Sequence, residues 1–374
     1  DCGGAELIVL KADLLTETGD VMQAEASLEK AIETYPMDAE LRSIVATRRI
    51  AEGRIEVAQA LLDNTPATID HPELYIVEGR LHLARADRLR DGTGETDQIL
   101  LGSAIKSFES ALELNRELGV AWLGLARTQR LMSNLDKAGE SLTRARRLLG
   151  ETDSPCSIEA AMLAIDNNDI HAATRYIDAA EIQGSSEAIA YVRGNIAAKS
   201  GDYARAVAMY TDTLKQNPKH IRARLNRIGC YLGLNQALEA KEDADVLLSL
   251  APDLKVAIFA RGDALTRLAE WEGAKEDLLV VLEDAPHHYK ALTKLTACYL
   301  ALDRPERAEG PINEALRLAP DFAEAWYQRG LLYLEWGKIE AALSDFEAAV
   351  RADGNHLQAR EQAAAIHHLS LIHI

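Results

Sequence analysis

The chain has 374 residues, 48% of them apolar, 5% aromatic and 27% charged, and it carries a formal net charge of -18. This is the composition of a soluble, folding protein, and 59 Asp and Glu against 41 Lys and Arg argue against nucleic acid, which needs clustered positive charge. No run reaches the roughly 18 consecutive apolar residues of a membrane helix.

Pro218, Pro252, Pro286 and Pro320 stand 34 residues apart, and Ala138, Ala172, Ala206, Ala240, Ala274, Ala308 and Ala342 keep the same step. A fixed period of about 34 marks a two-helix unit stacked on copies of itself. The predicted fold is an all-α, right-handed α-solenoid superhelix, one elongated domain in which each unit touches mainly its neighbours.

In chain order, Asp1 to Gly4 reads as the loop remnant of an upstream segment. Ten units follow over residues 5–356, starting at Ala5, Ala39, Pro72, Gly119, Asp153, Glu187, Ile221, Lys255, Tyr289 and Ala323. Gly19-Asp20, Gly201-Asp202 and Gly337-Lys338 stop a first helix and reverse the chain. Asn217-Pro218, Ala251-Pro252 and Ala319-Pro320 end second helices, because proline disfavours helix in the residue before it.

The third unit carries extra residues around Arg88 to Gln98, an expected acidic loop. Its Asp91-Gly92-Thr93-Gly94-Glu95-Thr96-Asp97 resembles a calcium loop in part, but Thr96 stands where the motif needs glycine and Gly102 where it needs glutamate. No metal is assigned there. In the ninth unit Gly310-Pro311 falls inside the second helix, where proline removes a backbone donor and predicts a kink or break. Residues 357–368 begin a further helix. The last hexapeptide, 369–374, reads as a translated sequencing adaptor, to be left out of fold reasoning.

The unit from Ala323 to His356 places Trp326, Gly330 and Tyr333 on a first helix and Ala342, Phe346 and Ala349 on a second. Trp122 holds the place of Trp326 in the fourth unit. The small residues let two helices approach and the large one fills the remaining space; elsewhere it is Phe108, Tyr176, Tyr210 or Leu278. This pattern closely resembles the tetratricopeptide repeat family, with Arg329 in place of its leucine and Gly354 in place of its proline.

The resemblance implies a non-catalytic protein-interaction scaffold that holds a peptide or partner protein in the groove lined by first helices. Tyr191, Leu225, Phe259, Thr293 and Tyr327 occupy equivalent groove-facing places, and aromatic anchors there suit binding. Asn195 and Asn226 match the asparagines of the carboxylate clamp by which some members hold chaperone C-terminal tails. Tyr191, Val256 and Ala260 replace its cations, which disfavours that ligand. Arg80, Arg127, Arg130, Lys199, Arg222, Arg267 and Lys290 are expected near the groove as possible receivers of an acidic segment.

No glycine-rich phosphate loop, paired-carboxylate constellation or activated nucleophile is legible, so neither enzymatic activity nor a cofactor is expected. Cys2, Cys156, Cys230 and Cys298 show no Cys-x-x-Cys spacing, and Cys230 and Cys298 read as small buried hydrophobes. The segment Ile221 to Ala319, with Ala301-Leu302-Asp303-Arg304-Pro305-Glu306-Arg307-Ala308, is similar to repeats of bacterial lipoproteins associated with exopolysaccharide production and protein sorting. Cys2-Gly3-Gly4 is reminiscent of their lipid-modified cysteine, although Asp1 departs from it. That likeness leaves a cytoplasmic and a periplasmic, envelope-associated location both open. A further alternative makes the array the substrate-recruiting arm of a larger glycosyltransferase- or sulfotransferase-type enzyme.

Overall fold

Two side-chain patterns build every element: a small residue at each helix crossing, and a left-handed turn between the two helices of a pair. The computed structural model describes residues 2–66, 68–184 and 186–372, and of residues 2–6, 17 and 369–372 the backbone only. The contacts divide the chain into two compact units, Asp1–Gln216 and Asn217–Ile374, where the periodicity alone led us to expect a single domain. The division falls at Asn217-Pro218, one of the proline joints; in a repeat array each pair contacts mainly its neighbours, so such joints are where few contacts cross.

The N-terminal unit consists of α1 Cys2–Glu17, α2 Val21–Thr34, α3 Ala39–Ala51, α4 Ile55–Asp63, α5 Pro72–Thr93, α6 Gln98–Leu114, α7 Gly119–Leu131, α8 Leu135–Leu149, α9 Ser154–Asp166, α10 Ile170–Glu181, α11 Glu187–Lys199 and α12 Tyr203–Gln216. The C-terminal unit consists of α13 Ile221–Gly233, α14 Ala237–Leu250, α15 Lys255–Arg267, α16 Trp271–Asp284, α17 Tyr289–Ala301, α18 Pro305–Leu318, α19 Ala323–Glu335, α20 Ile339–Ala352 and α21 Leu357–Ile372. Each odd-numbered helix up to α19 packs on the helix that follows it, and the pairs stack in order within each unit. The architecture is the all-α solenoid.

The alanine ladder lies in the core. Ala138, Ala172, Ala206, Ala240, Ala274, Ala308 and Ala342 are all buried, none above 8% exposed, and Ala24, Ala58 and Ala104 extend the row in the earlier pairs. Opposite the alanines, large side chains of the second helices press on first-helix glycines: Phe108 on Gly79 and Gly124, Tyr210 on Gly194, Phe346 on Gly330. A side chain at those glycines would collide with a ring that has nowhere to go. Trp122 and Trp326 fix the entry to their own helices, their indole N–H groups donating to the carbonyls of Arg116 (2.9 Å) and Pro320 (2.7 Å).

The turn inside each pair needs one residue in the left-handed region. Glycine fills it at Gly19, Gly53, Gly201 and Gly337, and Asn235, Ala269 and Asp303 adopt it at the corresponding places of the C-terminal unit. Side-chain acceptors start many first helices: Asp38 accepts from the Leu41 N–H at 2.9 Å, Asp153 from Cys156 at 3.0 Å, and His288 Nδ1 from Ala291 at 3.1 Å.

Three local expectations are corrected. The extra residues of the third unit are mostly helix rather than loop, because α5 runs to Thr93, which places Asp91, Gly92 and Thr93 in its last turn instead of a calcium loop. Arg-rich, glycine-poor sequence up to Arg90 favours continued helix, and Gly94 at φ 84° then ends it. Pro311 does not break α18, which is continuous from Pro305 to Leu318. The carbonyl that the proline leaves without a donor belongs to exposed Arg307, while Ala308, Ile312 and Ala315 keep both sides in the core. Cys2 to Gly4, expected as loop, form the first turn of α1, where the N–H groups have no intrahelical partner in any case. At the other end α21 begins at Leu357 and reaches Ile372; Asp1, His373 and Ile374 lie outside the described residues.

Candidate peptide-binding face

The first helices of successive pairs also touch one another: α1 with α3, α5 with α7, α7 with α9 and α9 with α11 in the N-terminal unit, and α13, α15, α17 and α19 in turn in the C-terminal unit. Among the described residues no two second helices pack together to the same degree. First helices therefore form a continuous face in each unit, on which the fifth residue of each is expected.

In the C-terminal unit these residues are Leu225, Phe259, Thr293 and Tyr327. Leu225, Phe259 and Tyr327 are half-buried. The Phe259 ring lies 4.6 Å from the His288 ring at the start of the next first helix. Tyr327 sits 5.8 Å from Phe346 of its own pair and 5.0 Å from His356 ahead of α21. Histidine caps thus pack against the aromatic rings in alternate pairs, and both rings stay partly exposed. Thr293 is not presented: it is 1% exposed and its hydroxyl donates to the Tyr289 carbonyl at 2.9 Å. That backbone bond satisfies the hydroxyl, so the short side chain can be covered by its neighbours. Asn226 on α13 is half-buried.

In the N-terminal unit Tyr191 packs on Tyr210 at 6.1 Å, and Asn195 Oδ1 accepts the Tyr210 hydroxyl at 2.8 Å while its Nδ2 reaches Met162 Sδ at 3.7 Å. Asn195 orients the buried tyrosine of its own pair.

Three of the seven cations expected to receive an acidic ligand, Arg127, Arg130 and Arg267, are engaged with this chain's own carboxylates. Arg127 pairs with Asp87 at 2.7 Å, and Arg130 with Glu159 at 2.5 Å and Asp166 at 3.0 Å. Arg267 and Lys294 converge on Asp263 at 3.0 and 2.7 Å, and Arg267 also donates to the Leu232 carbonyl at 2.8 Å. Burial alone would raise the Asp263 carboxyl, but Lys294 and Arg267 outweigh it and hold it below the usual carboxylate range. Arg80 is half-buried, and desolvation lowers its guanidinium from the ordinary value. Lys290 lies 5.9 Å from the Tyr289 ring, and Lys199 is exposed.

A second set of residues is conspicuous only in the structure. Arg227, Arg261 and Arg329 each grip an aspartate of the following helix, Asp243, Asp277 and Asp345, through paired hydrogen bonds of 2.7 to 2.9 Å. The signal was present in the sequence as two ladders on the 34-residue period, one of arginine and one of aspartate. Both are interrupted together in the ninth unit, where Leu295 and Pro311 take the two places.

Known proteins share the repeat. Tetratricopeptide repeat models match residues 5–36, 197–259 and 295–370. The Hsp70-Hsp90 organizing protein 2 of Arabidopsis thaliana is 29% identical over 117 residues, 31% of this chain and 20% of that protein. The heat shock protein sti1 homolog of Schizosaccharomyces pombe is 29% identical over 178 residues, 46% of this chain and 29% of that protein. The chain therefore spans less than a third of the length of these relatives. In the crystal structure of the APC/C hetero-tetramer Cut9-Hcn1, a chain of 14% identity matches with a TM-score of 0.62, over 97% of this chain and 76% of that one, which shows the shared fold. With the helix pairs, the ladder of small residues and the matching family models taken together, the chain belongs to the tetratricopeptide repeat family.

Proposed function

We propose that the chain is a non-catalytic protein-interaction scaffold whose first-helix face holds an extended peptide or a partner helix. The observation that carries this reading is the continuous row α13, α15, α17 and α19, with Phe259 and Tyr327 each backed by a histidine and partly open to solvent. Rings fixed in this way offer apolar area without losing much side-chain entropy on binding, which is what a recurring anchor needs. The names of the curated relatives, organizing protein and sti1 homolog, are consistent with an organizing role and do not identify a ligand for this chain.

A chaperone-tail carboxylate is disfavoured as that ligand. Val256 and Ala260 stand where a clamp would need cations, and the neighbouring Arg267 and Lys294 already share Asp263. The test is capture of partners from a lysate by the full chain beside a Phe259→Ala/Tyr327→Ala variant, read by mass spectrometry. Partners lost only with the variant support the reading; identical captures overturn the role given to this face. A captured segment resynthesised with a free or an amidated C terminus should bind equally in either form.

A further inference from the structure

The negative charge of the chain is unevenly distributed. Residues 1–78 hold 16 Asp and Glu against 6 Lys and Arg. The four arginines of this stretch are engaged inside the fold: Arg42 donates to the carbonyls of Pro36 at 2.9 Å and Leu61 at 3.3 Å, Arg48 pairs with Asp13 at 2.8 Å, Arg54 with Glu25 at 2.6 Å, and Arg49 lies 3.8 Å from Glu25 and Glu29. Little positive charge is left over to meet the remaining carboxylates.

A cavity of about 710 Å³ opens here, bounded by α1, α3 and the segments ahead of α3 and α5. Val9, Leu41, Ile44 and Ile69 supply apolar surface, and Met37 stands 57% exposed at the edge. Asp38, Glu40 and Asp70 line it as well, and among the described residues no Lys or Arg pairs with any of them. Asp38 caps α3, accepting from the Leu41 N–H at 2.9 Å, and the Asp70 carboxylate beside Tyr75 raises its phenol. The cavity thus combines apolar walls with carboxylates of one sign.

We infer that this cavity on the first-helix face of the N-terminal unit binds a basic peptide segment, an aliphatic side chain entering between Val9, Ile44 and Ile69 while an adjacent Lys or Arg pairs with Glu40 and Asp70. An acidic ligand would crowd three carboxylates, and a neutral one would desolvate them without return. Charge of one sign at a rim selects partners and speeds encounter, and its effect is weakened by salt. The inference rests on the scaffold reading and gives its ligand a sign, opposite to the acidic segment that the scattered arginines alone had implied.

The probes are two rhodamine-labelled octapeptides, one alternating lysine with leucine and one alternating glutamate with leucine, titrated by fluorescence anisotropy with the full chain. The lysine peptide should bind and the glutamate peptide should not. Glu40→Lys/Asp70→Lys should weaken binding about tenfold or more, and Ile44→Gln should weaken it by a smaller factor. Glu109→Lys/Glu113→Lys changes the net charge of the same unit by as much and should leave binding nearly unchanged, which separates a site from general attraction to an acidic protein. Circular dichroism checks that each variant is folded; Glu40 and Asp70 are exposed, so both should be. No binding of the lysine peptide, or equal losses in the two charge-reversal variants, overturns the inference. Either result leaves the scaffold reading standing if partners are still lost with Phe259→Ala/Tyr327→Ala.

Discussion

Arg329 on α19 holds Asp345 on α20 through two parallel hydrogen bonds, Nε to Oδ2 at 2.7 Å and Nη2 to Oδ1 at 2.9 Å, with its guanidinium 4.7 Å from the Trp326 ring centroid. Asp345 is 4% exposed, so the pair is a fixed bracket between the two helices rather than a surface ion pair. Removing only the carboxylate leaves a half-buried cation unpaired. Asp345→Ala should therefore cost about 2 kcal/mol or more. Arg329→Leu/Asp345→Ala should cost less than the sum of the two single changes, because the ninth unit already packs Leu295 and Pro311 at these places. Thermal unfolding of the four proteins gives the coupling; additive losses would rule out the bracket.

The repeat was legible because its period is carried by many residues at once, such as Ala206, Ala240 and Ala274, all of which must be small for the same steric reason. The Arg–Asp bracket was not, because the ladders of Arg227, Arg261 and Arg329 and of Asp243, Asp277 and Asp345 break in the ninth unit and read as ordinary surface charge until each pair is seen across two packed helices. Thr293 was misplaced for a related reason: register puts it on the face, but only packing decides that a satisfied hydroxyl sinks into the core. The acid-lined cavity at Ile44 was hidden because Asp38 and Asp70 come from two different joints and Glu40 from the first turn of α3, and no sequence spacing brings these together.

Gly330 and Phe346 test how tight the pairs are. A Cβ built on Gly330 lies 2.5 Å from Phe346 Cε1, and Phe346 is fully buried. Helix propensity favours Gly→Ala by about 1 kcal/mol, but overpacking of a closed core costs roughly 1 to 3 kcal/mol. Sterics should win, and Gly330→Ala should lower the melting temperature. Adding Phe346→Leu should recover part of the loss; a Gly330→Ala protein that melts higher would mean the ring can move aside.

Ala269 gives the opposite sign. It holds φ at 59° in the turn between α15 and α16, where Gly201 and Gly337 fill the equivalent places at 79° and 67°. The left-handed conformation costs a residue with a Cβ about 1 to 2 kcal/mol, and the greater freedom of glycine in the unfolded chain takes back roughly 0.4 to 1 kcal/mol. Ala269→Gly should stabilise the protein by about 0.5 to 1 kcal/mol by thermal or urea unfolding. A loss of stability would show that the alanine methyl contributes packing that outweighs its strain.

The three buried cysteines should be chemically silent until the helices open. Burial, helped by Asp153, pushes the Cys156 thiol up to about 12, and burial pushes those of Cys230 and Cys298 up to about 11. Only the thiolate attacks, and its share falls tenfold for each unit by which the thiol lies above the ambient pH, so at about pH 8 less than a hundredth of each is reactive even before access is considered. In a Cys2→Ser background, Ellman's reagent at that pH should find almost no thiol over minutes in the native protein and all three within seconds in denaturant. Because Cys156 lies on α9 and Cys298 on α17, their separate rates at higher temperature would report opening of the N-terminal and C-terminal units respectively. A thiol that reacts at once in the native protein would show that its helix pair opens freely under native conditions.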